Sequence, residues 1–165
     1  MRVRDVMSMD PVTLRPTVTL REAAITLAEE SVGGCPVVDE GGTVIGMLTE
    51  VEVLEALKTQ SKELRMLMPP EITFGISFVE VIKEREALAA FKEVESRRVQ
   101  DVMTKEAHAV SPGDPLEDAI RIMVQHRIHR IPVIEGRHLV GILTRGDVLR
   151  GFFRHAARTT GAEAL

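Results

Sequence analysis

The residues whose chemistry stands out are His129-Arg130, at the head of one apolar run, and Thr144-x-x-Asp147, at the end of the next. The runs, Ile131-Pro132-Val133-Ile134 and Gly141-Ile142-Leu143, flank the polar turn Glu135-Gly136-Arg137-His138. Two short apolar runs about a polar turn predict a β-hairpin. Thr-x-x-Asp after the second run predicts a helix start. Pairing of the strands brings the basic pair, the hydroxyl and the carboxylate to neighbouring strand ends. A helix starting there offers free backbone N–H groups and a positive dipole end to a phosphate. Arg130 adds donors that can grip a phosphate in bidentate fashion. A phosphate and a ribose can share such a place.

The elements that must position these groups occur twice. Val3-Arg4-Asp5-Val6-Met7 recurs 96 residues on as Val99-Gln100-Asp101-Val102-Met103. At the same shift Pro16, Leu20, Ala23 and Pro36-Val37 meet Pro112, Leu116, Ala119 and Pro132-Val133. One residue is then lost in the hairpin, and Gly46, Leu48 and Thr49 meet Gly141, Leu143 and Thr144. Glycine, proline and apolar positions coincide together, which marks a repeat of backbone geometry rather than of composition. Each copy predicts a short extended piece (12–14; 108–110) and a turn with proline. A helix follows (Leu20 to Glu30; Leu116 to Arg127), with Leu116, Ala119, Ile120, Met123 and Val124 at helical spacing. The hairpin comes next (Cys35 to Val38 with Val44 to Leu48; Ile131 to Ile134 with His138 to Leu143), and a last helix starts at Thr49 or Thr144. The expected class is α/β (α+β), as two β-α-β-β-α repeats at residues 1–57 and 99–165. A copy of this length is small for independent stability, so the two are expected to pack as a pseudo-symmetric pair.

Residues 58–98 form a long connector. Met68-Pro69-Pro70 is expected to break a helix, residues 71–78 to be extended, and a helix to run from Val79 to Arg98. Ser77 and Glu80 have the spacing of a capping box. The tail from His155 is expected to be a frayed helix end.

Composition narrows the function. No apolar run is long enough to span a bilayer, and the N-terminus has no apolar h-region. With a single cysteine, Cys35, an internal disulfide framework is excluded, and the expected setting is cytoplasmic. A net charge of −4, no Trp, no Tyr and five Phe argue against nucleic-acid binding. Residues 1–57 carry four basic and ten acidic side chains, residues 99–165 nine and eight, so the last third is the better place for an anion. His126 and His129 stand three apart at a helix end, but no Cys or carboxylate motif completes a metal set. No Ser-His-Asp motif, glycine-rich phosphate loop or paired-carboxylate signature occurs.

With Asp-Val-Met at each start, the apolar-Pro-Val strand and Gly-x-Leu-Thr-x-x-Asp/Glu, the repeat resembles the CBS domain, named for cystathionine β-synthase. The resemblance covers residues 2–57 and 99–154, and a tandem pair is similar to a Bateman module. It implies a non-enzymatic regulatory module, often a homodimer, that binds an adenosine compound in a cleft between repeats. AMP, ADP, ATP and S-adenosylmethionine are the implied ligands, with no cofactor required, and a small shift of the repeats signals to a partner protein. By position, Asp147 matches the family carboxylate that accepts the ribose hydroxyls, and Thr144 matches the hydroxyl at the phosphate or ribose. His129 and Arg130 match the phosphate-touching pair. Ala107, His108 and Ile131 lie where the adenine pocket is lined. Apart from the resemblance, Arg145 and Arg127 are near enough to assist a phosphate, although arginines so placed are more often solvated charges.

Thr-x-x-Asp/Glu is also the pattern of a capping box. That role is expected for Thr49 and Glu52, because Glu is the preferred acid and Asp147 is shorter and less suited to reaching back. Gly33-Gly34 replaces His129-Arg130 in the first repeat, so Thr49 and Glu52 mark at most a weaker second site. The alternative function is a protein-interaction pair without ligand, docking through the connector or a dimer face.

Overall fold

A computed structural model of the chain describes residues 1–60, 89 and 92–159. Elements are numbered along those residues. Residues 61–88, 90 and 91 include the expected helix break, the extended stretch and Ser77/Glu80, which lie outside the description, as do residues 160–165 of the tail.

The chain divides into two compact units. Their boundaries cross the repeat: one unit is Met1–Pro11, Gly42–Val44 and Ala107–Leu165, and the other is Val12–Gly41 and Ile45–Glu106. The opening segment of each repeat therefore belongs with the body of the other.

In the unit that contains the C-terminal repeat, β1 (Ser8–Met9), β4 (Arg130–Glu135) and β5 (His138–Thr144) form an antiparallel sheet in the order β1-β5-β4. The β4–β5 hairpin pairs Arg130 with Thr144 and Val133 with Gly141, with an irregularity at Val133/Ile134. Gly136 turns the hairpin with φ +65°, a conformation in which glycine carries no steric cost. The expected extended piece at 108–110 makes only a single parallel bridge, Val110 to Val133.

Helix α4 (Leu116–His126) buries Leu116, Ala119 and Met123 and closes on Arg127, which is left-handed with φ 52°. Val124, assigned to the same stripe by its spacing, is 71% exposed. Eight residues beyond Leu116, it stands about 80° around the helix at 3.6 residues per turn, on the flank of the apolar face. Helix α5 (Arg145–Thr159) extends through His155, where fraying was expected. Val3, Val110, Leu116, Ala119, Ile131, Val133, Leu143 and Val148 make one apolar core.

The other unit repeats this plan. Helix α1 (Leu20–Glu29) starts at Thr19, whose hydroxyl accepts from the Glu22 N–H at 3.2 Å while Glu22 accepts from the Thr19 N–H at 2.7 Å. Those Thr19 donors hold the Glu22 carboxyl below the usual range. Strands β2 (Gly34–Val38) and β3 (Val44–Thr49) pair, and α2 (Glu50–Gln60) follows. The helix α3 (Val99–Val102) lies against α2. This unit has its own core, including Leu20, Leu27, Val37, Leu48, Leu54, Val94 and Val99.

The exchanged segments are held in the same way in both units. Arg2 donates to the Gly113 carbonyl at 2.6 Å, and Val3 N–H to the Asp114 carbonyl at 3.0 Å. In the other unit Arg98 donates to the Thr17 carbonyl at 2.5 Å, and Val99 N–H to the Val18 carbonyl at 2.9 Å. Val3 and Val99 are wholly buried. A repeat too short to close its own core is completed by a segment distant in sequence.

Candidate functional site

The site residues of the C-terminal repeat converge where β5 runs into α5. Thr144 ends the strand and caps the helix. Its backbone N–H donates to Asp147 Oδ2 at 2.8 Å, and its hydroxyl donates to the same oxygen at 2.6 Å. The hydroxyl also accepts from the Asp147 N–H at 3.2 Å. Asp147 therefore reaches back and completes the capping box. Asp147 was expected to be less suited to reaching back than Glu52; at N3 the shorter side chain spans to the cap all the same. In the first repeat Glu52 accepts from the Thr49 N–H at 2.7 Å and from its hydroxyl.

Asp147 is the one buried charged side chain among the described residues, at 4% exposure. Its second oxygen, Oδ1, accepts from Ser8 Oγ at 3.3 Å and from the exposed Arg150 guanidinium. Four donors thus surround a carboxylate that offers about four lone-pair sites. A buried carboxylate persists only when paired and hydrogen-bonded in this way.

The cationic residues lie along the backbone next to Thr144. Arg130 pairs across the hairpin with Thr144, and the His129 carbonyl accepts from the Arg145 N–H at 2.8 Å. Burial, then the Arg145 and Arg130 charges, hold the His129 imidazole below its usual value. Ile131 is fully buried in the core, Ala107 is half-buried, and His108 is exposed. The ring of His108 lies 3.7 Å from that of His126, tilted by 31°.

A cleft of about 550 Å³ is lined by Asp147 together with Asp5, Met7, Arg150, Gly151 and Arg154 among others. A Cβ on Gly151 would collide with Val6, so glycine lets α5 approach the opening segment there.

Sequence reasoning passed over Ser8 and Arg150. The signal for Ser8 was present: Asp-Val-Met is followed by Ser8 in one copy and Thr104 in the other. Thr104 donates to Glu52 Oε1 at 2.8 Å, the counterpart of the Ser8 bond. Gly34, which takes the place of Arg130, has no room for a side chain, because a Cβ would lie 2.8 Å from the Leu48 carbonyl oxygen. The first repeat shares the hydroxyl–acid constellation and lacks the base.

Fold and site together define a tandem CBS-domain protein. The CBS domain model matches residues 3–59 and 99–154, and the chain belongs to that family. It is 26% identical to the uncharacterized protein MJ1426 of Methanocaldococcus jannaschii, over 90% of this chain and 89% of that one. It is 30% identical to the CBS domain-containing protein YhcV of Bacillus subtilis, over 88% and 81%. The crystal structure of CBSX2 in complex with AMP, a protein of Arabidopsis thaliana, superposes with a TM-score of 0.69 at 26% identity, covering 94% of this chain and 98% of that one. Among the described residues, no helix is long and apolar enough to cross a membrane.

Proposed function

We propose that this chain is a non-enzymatic sensor that binds an adenosine-containing nucleotide at its second repeat. Asp147 takes the ribose hydroxyls. The start of α5, with Thr144, Arg130 and His129, takes the phosphate. The observation that carries this reading is a buried carboxylate at a helix start, with Arg130 directly across the hairpin. The likeness to a protein crystallised with AMP supports it. AMP, ADP, ATP and S-adenosylmethionine are the ligand class, and the chemistry at Arg130 favours those with phosphate. Occupancy is passed to a partner protein by a small shift of the elements that hold Asp147. The assembly in this reading is a homodimer, supported by exposed Val124 on α4 and by exposed Leu149 and Phe153 on α5.

The test is a thermal-shift screen of adenosine compounds repeated with Asp147→Ala. The expected result is a raised melting temperature that the substitution abolishes. If no compound raises it, or if Asp147→Ala binds as the parent does, the reading fails.

A second reading, an interaction pair without ligand, is favoured by one observation: Asp147 already has four internal donors. The same screen separates the two.

A further inference from the structure

The two oxygens of Asp147 face different surroundings. Oδ2 faces Thr144, the strand end paired with Arg130. Oδ1 faces Ser8 and Arg150, and Arg150 lines the cleft of about 550 Å³ together with Asp147. Neither Arg130 nor His129 lines this cleft; Arg150 and Arg154 do. They stand four apart on α5, a spacing that puts two side chains on one helix face.

We propose that Arg150 and Arg154 form an anion subsite beside the carboxylate. Its ligand is a phosphate carried on the 2′ or 3′ oxygen of the bound ribose. The proposal rests on the reading that Asp147 holds that ribose.

The geometry gives the order of events. A ribose hydroxyl can reach Oδ1 only by replacing one of the donors already there. Ser8 belongs to the opening segment, held by backbone pairing of β1 to β5. Arg150 is 62% exposed at its side chain and is the donor free to move. A ligand with a single phosphate at the 5′ position displaces Arg150 and gives it nothing in return. A ligand with a second phosphate at the neighbouring ribose oxygen gives the guanidinium a new partner, and Arg154 can grip the same group. One hydroxyl remains for Asp147. Asp5 and Asp147 also line the cleft and oppose an anion, so the two guanidiniums balance two carboxylates and the grip rests on their bidentate hydrogen bonds. His155, at the same rim, adds a third nitrogen group.

The experiment is isothermal titration calorimetry on the full chain. The probes are adenosine 5′-monophosphate, adenosine 3′,5′-bisphosphate and adenosine 2′,5′-bisphosphate. One bisphosphate is expected to bind tighter than the monophosphate by on the order of tenfold. Arg154→Ala and Arg150→Gln are expected to abolish that gain. Both side chains are exposed, so the variants should fold, which circular dichroism checks. If the monophosphate binds and neither bisphosphate binds tighter, the subsite is overturned and the ribose reading stands. If the gain survives both substitutions, the subsite is again overturned. If none of the three binds, both fall.

Discussion

Ser8 donates to Asp147 across 139 positions of sequence, at 3.3 Å. This bond ties the opening segment to the carboxylate of the second repeat, and the Thr104–Glu52 bond at 2.8 Å does the same in the other unit. Ser8→Ala leaves Oδ1 to Arg150 alone. A hydrogen bond of this kind contributes about 0.5–1.5 kcal/mol, and urea unfolding should show a loss in that range. Thr104→Ala should lose a similar amount, weighted upward by its shorter contact. Unchanged midpoints in both variants would show that these hydroxyl bonds do not help to hold the exchanged segments.

His129 makes a pH prediction that follows from its depressed value. In the folded protein the neutral ring is favoured, so the unfolded chain takes up its proton at higher pH. Stability from this group is therefore level above the ordinary histidine range. It declines as pH falls through that range and levels again below the folded value. A phosphate bound beside the ring raises its value and draws a proton in with the ligand. Nucleotide affinity is then expected to increase as pH falls from 8 to 6, by up to about tenfold per unit. His129→Gln should flatten the curve. Calorimetry in two buffers of different ionisation enthalpy measures the proton uptake directly, and no uptake at pH 6.5 would contradict the placement of phosphate at His129.

The exposed Phe153, at 76%, with Leu149 and Val124 bears on assembly. An exposed substitution away from structural features changes stability by about 0.5 kcal/mol or less, so Phe153→Asp should leave the fold intact. Sedimentation equilibrium should find the parent chain as a dimer and the variant shifted toward monomer. A parent chain that sediments as a monomer at tens of micromolar would remove the dimer from the proposal.

Much of this architecture is legible locally. The hairpin and its glycine turn, the helix from Leu116 and the helix start at Thr144 all follow from periodicity and punctuation within a dozen residues. The exchange of opening segments is not local. β1 is two residues long and exposed, with no alternation to mark it, and its partner lies more than 130 positions away. Only the repeated hydroxyl after Asp-Val-Met pointed to it. Arg150 was illegible for a different reason: an arginine three positions after an aspartate on a helix is usually a solvated pair. It acquires meaning through burial of Asp147 and the cleft beside it, neither of which spacing reveals. Val124 was misplaced because a stripe read at one end of a helix drifts around its axis by the other.

Gly141 sets how closely β1 approaches. A Cβ there would lie 2.8 Å from the Ser8 carbonyl oxygen and 3.0 Å from Met7 Sδ. The methionine can shift, but the carbonyl belongs to a backbone paired at Ser8↔Ile142 and Met9↔Gly141. Gly141→Ala must therefore push β1 outward. Overpacking of this kind costs about 1–3 kcal/mol. The displacement also moves the segment that carries Ser8 and shifts the surroundings of the Asp147 carboxylate, so the variant should lose ligand affinity. Gly46 is the internal control: its Cβ would lie 2.6 Å from the Thr104 carbonyl oxygen, in the unit whose repeat lacks the basic pair. Gly46→Ala should destabilise by a similar amount and leave nucleotide affinity at the second repeat unchanged. Thermal unfolding and calorimetry on the two variants make the comparison. Equal loss of affinity in both would mean that the site depends on general stability rather than on the position of β1.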